Sequence, residues 1–417
     1  MGLAKFLSYS LGLSAFLLSV ALFHIGGSTG IQLFCLIGIG VFLAMKGSAP
    51  PRFLIWFAGL CMLIFASYLL QLQNGGDASV PFKGLISFSL NLMVIWLGAS
   101  LVAGGGGRHW PIYLRGYMMG AMLSSVLAIV QAVTWGVMQI PTSAVFGIHN
   151  NRSFTDITTV ASPFEGARGF AMTAEPSLLA LLLLPAAILL WVRGRYLSFL
   201  LIACGMYASQ SLTAAVCLTG FILWRLMFGQ RASGWAKKII GVGIGLTAVA
   251  FIAAALLGNF ATDTASAAGT PSVQARVFNA AADPSTLSRL NSVLSGFSAV
   301  LERPVVGWGM QSEGLKNFLL ARATILEAND AINSLALSLA AWFGIPLTLY
   351  LLYVPARFWL LARVNSEVKV FVIASIIPPM LTLNYYSVYS VWLCIGVAGG
   401  WVFATARSKH DKEENAY

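Results

Sequence analysis

The sequence predicts an all-α polytopic membrane protein with about twelve transmembrane helices and one large, partly helical outer-side loop between the ninth and tenth. Three observations predict it. The 417 residues are 58% hydrophobic and only 9% charged, with a mean hydropathy of +0.81, a balance that no soluble globular domain shows. Runs of about 18 or more mostly apolar residues recur, each able at ~1.5 Å per residue to cross roughly 30 Å of hydrocarbon. The runs are uniformly apolar and do not alternate, which selects helices over barrel strands. Against this background stands Asn259 to Asp330, which holds no run long enough to cross a bilayer. It carries Arg276, Arg289, Arg303, Lys316 and Arg322 against Asp263, Asp283, Glu302, Glu313, Glu327 and Asp330, so it is polar yet nearly neutral.

In order, the spans fall at roughly 3 to 23, 30 to 46, 53 to 72, 83 to 104, 113 to 138, 175 to 192, 196 to 209, 211 to 228, 236 to 258, 331 to 356, 368 to 383 and 385 to 406. The first reads as an uncleaved signal-anchor helix, because no clear small-residue cleavage site follows its apolar run. Ser209-Gln210-Ser211 divides a run too long for one ordinary span into the seventh and eighth. The chain thus divides into 1–258 (spans 1 to 9, with an outer loop at 139–174), the large loop 259–330, spans 10 to 12 at 331–406, and a tail at 407–417.

Charge orients these spans. With the N-terminus inside, most of the 25 basic residues fall in inner loops, among them Lys5, Arg52, Arg108, Arg115, Arg193, Arg195, Lys237, Lys238, Arg357 and Lys369. Only Glu367, Asp411, Glu413 and Glu414 of the acids join them, which is the positive-inside signature and places the tail inside too. The net charge of +11 is therefore topology, with inner loops that can hold anionic lipids, and not a nucleic-acid footprint. Cys35, Cys61, Cys204, Cys217 and Cys394 all fall inside spans, so no structural disulfide is expected.

The first long outer loop, Gln139 to Ala174, holds His149, Arg152, Asp156, Glu165 and Arg168 and re-enters through Ala174-Glu175-Pro176-Ser177. Pro176 suits a first helical turn, and a carboxylate beside a helix N-terminus is stabilised by the dipole; capping and a functional role explain Glu175 equally well. In the second loop, apolar residues recur from Leu287 through Leu290, Leu294, Phe297, Val300 and Leu301 with polar residues between. This is an amphipathic helix lying on the membrane or on the bundle, ended by Glu302-Arg303-Pro304 and followed by a Gly307-Trp308-Gly309 turn and a short helix from Leu315 to Glu327.

Several chemistries lack their residues. No outer loop pairs His with Cys or groups acids at ligand spacing, and Gly104 to Gly107 is a glycine run without the Lys and Ser/Thr of a phosphate loop. Gly-x-Ser-x-Gly is also missing. Span interiors contain no Asp, Lys or Arg, which speaks against an ion-coupled transporter. What remains is polar chemistry at the outer face, supplied by Arg152 and Arg168 from one loop and Arg276, Arg289, Arg303 and Arg322 from the other. Guanidinium holds phosphate oxygens through paired hydrogen bonds. Alternatively these arginines pair with nearby acids, as Arg303 would with Glu302.

Leu301-Glu302-Arg303-Pro304-Val305-Val306-Gly307-Trp308-Gly309-Met310 resembles the signature segment of the O-antigen polymerase and ligase superfamily, and Asn333-Ser334 through Trp342-Phe343-Gly344-Ile345 resembles its continuation. Arg168-Gly169-Phe170 with Glu175-Pro176-Ser177 is similar to a phrase of polymerase-like members, and the span count with one large late loop also matches. Where ligases carry His followed by Asn, this chain has Asn333-Ser334, which favours the polymerase (Wzy-type) branch; Arg303 and Gly314 also fit that branch's arginine-to-glycine spacing.

The resemblance implies a GT-C-like architecture in a bacterial inner membrane, with a large periplasmic loop and metal-independent, inverting glycosyl transfer without a cofactor. The substrates would be undecaprenyl-diphosphate-linked glycans, with a chain-length regulator and a flippase as candidate partners. Arg168, Arg289 and Arg303 are then the candidates to stabilise the leaving diphosphate, and Glu175 to take the acceptor proton, with Glu165 or His149 second. Arg152, Arg276, Arg322 and Asn333 are candidate substrate contacts. So is the Asn384-Tyr385-Tyr386 turn, which an interfacial aromatic belt explains equally well. The alternatives are a ligase passing finished polymer to lipid A-core and, from another class, a polysaccharide or lipid transporter.

Overall fold

The computed structural model describes residues 3–16, 38–39, 49–73, 79–103, 107–138, 171, 176–209, 211, 284–310, 312–322, 332, 334–361, 364–382 and 389–414. These residues are all-helical, with no strand among them. In chain order the helices are α1 (Leu3–Ser14), α2 (Pro51–Gln73), α3 (Ser79–Ala103), α4 (His109–Met138), α5 (Pro176–Val192) and α6 (Tyr196–Ala208). They continue with α7 (Pro284–Glu302), α8 (Glu313–Arg322), α9 (Leu335–Phe343), α10 (Ile345–Leu361), α11 (Ser366–Thr382) and α12 (Tyr389–Glu414). Two, over Pro51–Leu70 and His109–Thr134, are long and apolar enough to cross a membrane, and shorter apolar stretches lie in α3, α5, α6, α10 and α12. Predicted spans 2, 8 and 9 lie almost wholly outside the described residues.

Several boundaries fall where local chemistry puts them. Pro176 is the first residue of α5, the position where its missing N–H costs nothing. Ser209 closes α6, its backbone N–H bonded to Gly205, and α7 ends at Glu302, ahead of Pro304. α12 departs from expectation by running on to Glu414, through the segment read as a tail.

Small residues let the helices approach backbone to backbone. α3 packs along α12, where a Cβ on Gly98 would lie 2.1 Å from the Leu393 carbonyl oxygen and one on Gly396 would lie 1.9 Å from that of Ile95. α1 packs along α4 in the same way, with Gly12 against Tyr113 and Gly116 against Tyr9. Close crossing through small residues is how helices associate where apolar burial gives little preference for protein over lipid. Around these crossings Tyr117 is fully buried, its hydroxyl donating 2.6 Å to the Leu182 carbonyl and its ring edge-on to Phe371.

Within the predicted tenth span, 331 to 356, the structure has two helices, α9 and α10, broken at Gly344. Gly344 has φ +84°, which no continuing α-helix uses. Pro346 supplies the second cause, because it has no N–H for the Trp342 carbonyl one turn back. α9 has nine residues and so measures about 14 Å, short of a bilayer.

Candidate functional site

A helix break leaves backbone groups that need partners. Ile345 would have donated to Ala341 and residue 346 to Trp342, so both carbonyls lose their helical donors. The segment after α7 supplies replacements: Trp308 N–H donates to the Ala341 oxygen (2.6 Å) and Gly309 N–H to the Trp342 oxygen (3.0 Å). In return Ile345 N–H donates to the Pro304 oxygen at 2.7 Å. The stretch from Pro304 to Gly309 and the stretch from Ala341 to Ile345 are thus bonded to each other, and the polar loop completes the broken helix.

Glycines make the contact close enough. Gly307 (φ +74°) and Gly309 (φ +98°) form the expected turn, and a Cβ on Gly307 would stand 2.5 Å from the Trp342 carbonyl oxygen. Ser67 on α2 donates its hydroxyl to the Val306 oxygen (3.2 Å), tying the turn to a membrane-length helix. Beneath the turn, Ala299 and Val300 of α7, Leu315 and Leu319 of α8, Ile332, and Ala340 and Ala341 of α9 form a separate small core. Ser312 starts α8 by accepting from Leu315 N–H, and Ser334 starts α9 by accepting from Leu337 N–H while donating to the Met380 carbonyl on α11.

Arg303 stands on this platform. Its guanidinium lies 4.2 Å above the Trp308 ring, and Trp308 is held by its indole N–H on the Ala299 oxygen (2.8 Å) and by Phe318, ring centroids 4.9 Å apart. The expected alternative, pairing with Glu302, does not occur: among the described residues Arg303 has no carboxylate partner, and both side chains are exposed. Adjacent helix-end residues do not face each other, whereas the turn brings the indole back under the guanidinium. Cation–π contact of this exposed kind contributes about 0.5–1 kcal/mol and leaves the N–H donors to engage an anion.

Of the other expected site residues, Arg289 lies on α7 and Arg322 closes α8. His149, Arg152, Glu165, Arg168, Glu175, Arg276, Asn333, Asn384, Tyr385 and Tyr386 lie outside the described residues. Among the described residues no three His, Cys, Asp or Glu side chains come together as a metal site would need.

Two neutral amides escaped the sequence reading, which looked only for charge inside the spans. Gln131 is buried in α4 and grips the backbone of Ala171, accepting from its N–H (2.8 Å) and donating to its carbonyl (3.2 Å). Ala171 itself is held at φ +49°. Asn91 in α3 is fully buried with neither amide atom hydrogen-bonded among the described residues. Their signal was present: each is a lone amide in an apolar run, which is costly in a membrane span without a purpose.

No protein-family model matches the sequence, and no curated protein matches it.

Proposed function

We propose that this chain is a multi-pass glycosyltransferase of a bacterial inner membrane that polymerises undecaprenyl-diphosphate-linked oligosaccharide repeats into O-antigen or a related surface polysaccharide. Both termini are cytoplasmic in this reading, and transfer takes place at the periplasmic face. The observation that carries it is Arg303: an exposed guanidinium without a carboxylate partner among the described residues, seated on a tryptophan within a backbone-bonded turn. The Arg193–Glu367 ion pair, at 2.9 Å, agrees with charge counting in assigning these two loops to one side.

In the reaction, an acceptor sugar hydroxyl attacks the anomeric carbon of the donor glycan. The bond from that carbon to the diphosphate oxygen breaks, and the electron pair leaves with the undecaprenyl diphosphate. Guanidinium groups fixed in advance stabilise that leaving charge without reorganising, so Arg303 takes this role with Arg168 and Arg289. Glu175 accepts the hydroxyl proton. Membrane lipids and the polyprenyl tails occupy the apolar surface, and a chain-length regulator and a flippase act beside it.

Glycan banding from cells lacking the gene, complemented with wild type, Arg303→Lys or Arg303→Ala at matched membrane expression, tests the reading. The null strain should give core bearing a single repeat. Arg303→Ala should reproduce that pattern, with polymerisation reduced on the order of 10²–10³-fold, and Arg303→Lys should fall between because it keeps charge without the planar fork. Accumulation of long lipid-linked polymer in the null would make the protein a ligase instead. An unchanged ladder would remove it from the pathway.

A further inference from the structure

From residue 291 on, α7 turns Leu294, Phe297 and Leu301 outward. Ser292, Gly296, Ala299 and Val300 turn toward the protein, and the missing side chain of Gly296 makes room for Ile332, whose Cγ2 would stand 2.7 Å from a Cβ there. Leu294, Phe297 and Leu301, with Val305 just beyond, are 56%, 54%, 75% and 67% exposed. The sequence expectation of a helix on the membrane or on the bundle resolves into both at once, on opposite faces. A helix at a water interface would bury those large residues and expose the serine and glycine.

The level of this strip identifies what covers it. Val306, next to the strip's last residue, is bonded to Ser67. Ser67 lies inside the Pro51–Leu70 stretch of α2, which is long and apolar enough to cross a membrane, and its neighbours Phe65 and Leu69 are themselves 54% and 44% exposed. The outward face of α7 therefore ends at the height of an apolar helix surface, with the Arg303 guanidinium beside it. A large-apolar strip flanked by a cation is the profile of an interfacial helix.

We propose that α7 is embedded in the interfacial layer of the bilayer that α2 crosses, with Leu294, Phe297, Leu301 and Val305 facing phospholipid acyl chains and the small-residue face against the bundle. The proposal rests on the membrane reading of the chain and not on the transferase chemistry.

Its test uses the full chain with native cysteines replaced, reconstituted in phosphatidylethanolamine and phosphatidylglycerol vesicles and spin-labelled at one introduced cysteine. Phe297→Cys and Leu301→Cys are compared with Met62→Cys, which sits on the exposed face of α2. Gel filtration confirms that each variant is folded. Labels on α7 should collide with oxygen more readily than with a water-soluble nickel complex, by a smaller margin than the deeper Met62 label. Nickel collisions on α7 that exceed those with oxygen, with Met62 still shielded, would mean that the strip faces water and would overturn this proposal alone. Shielding from both reagents would mean that protein, a second copy or another chain, covers it, and would overturn it equally. Nickel access at Met62 as well would end the membrane reading and this proposal with it.

Discussion

Gly344 meets Val305 so closely that a Cβ on the glycine would lie 2.0 Å from the valine carbonyl oxygen. The break between α9 and α10 and the turn after α7 are bonded into one structural unit.

Gly344→Ala adds a positive-φ cost of about 1–2 kcal/mol to that collision. The variant should melt several degrees below wild type in detergent, read by fluorescence-detected gel filtration, and should lose the activity that depends on Arg303. Gly314→Ala is the control: its Cβ meets nothing nearer than Trp308 at 3.6 Å, and alanine favours a helix over glycine by roughly 0.5–1 kcal/mol. Equal melting for the two variants would contradict the shared-unit account.

Trp308 has two separable tasks. Trp308→Phe keeps an aromatic face for Arg303 but loses the indole bond to Ala299, a cost of about 1 kcal/mol with activity largely kept. Trp308→Ala removes the packing against Phe318 as well, costs about 3–5 kcal/mol, and should match Arg303→Ala in glycan banding. If Phe and Ala variants behaved alike in melting and banding, the ring would not be the support of Arg303.

Gln131→Leu leaves the buried N–H and carbonyl of Ala171 without their partner at about 1–3 kcal/mol each. Limited proteolysis should then cut next to Ala171 faster than in wild type. Ala171→Gly should slow it, because glycine adopts φ +49° without the Cβ penalty. No change in cleavage for either variant would show that this clamp does not hold the segment.

Asn91→Leu removes a buried amide that has no hydrogen-bond partner among the described residues, and should raise the melting temperature by relieving about 1–3 kcal/mol of desolvation cost. Thermal melts of the purified variant check this directly. A lower melting point would mean that the amide is satisfied in the native membrane.

The sequence by itself determined the helical class, the start of α5 at Pro176, the end of α7 before Pro304, and the glycine turn around Trp308. Each depends on composition or on residues within a turn of one another, where hydropathy and backbone preference act directly. The break at Gly344 was also written there, in Gly344-Ile345-Pro346, but the strength of the surrounding apolar run hid it. Only the tertiary structure decided that Pro304, Trp308 and Gly309 satisfy the broken helix, that Gln131 grips Ala171 forty residues on, and that α7 turns its small face inward. In each the partner is a backbone group, which every residue carries, or a matching shape across helices. So even where one side is legible, as with the lone amide of Gln131, no pattern along the chain announces the other. The partner of Arg303 belongs to the same class: the nearest acid in sequence is Glu302, and the turn selects Trp308 in its place.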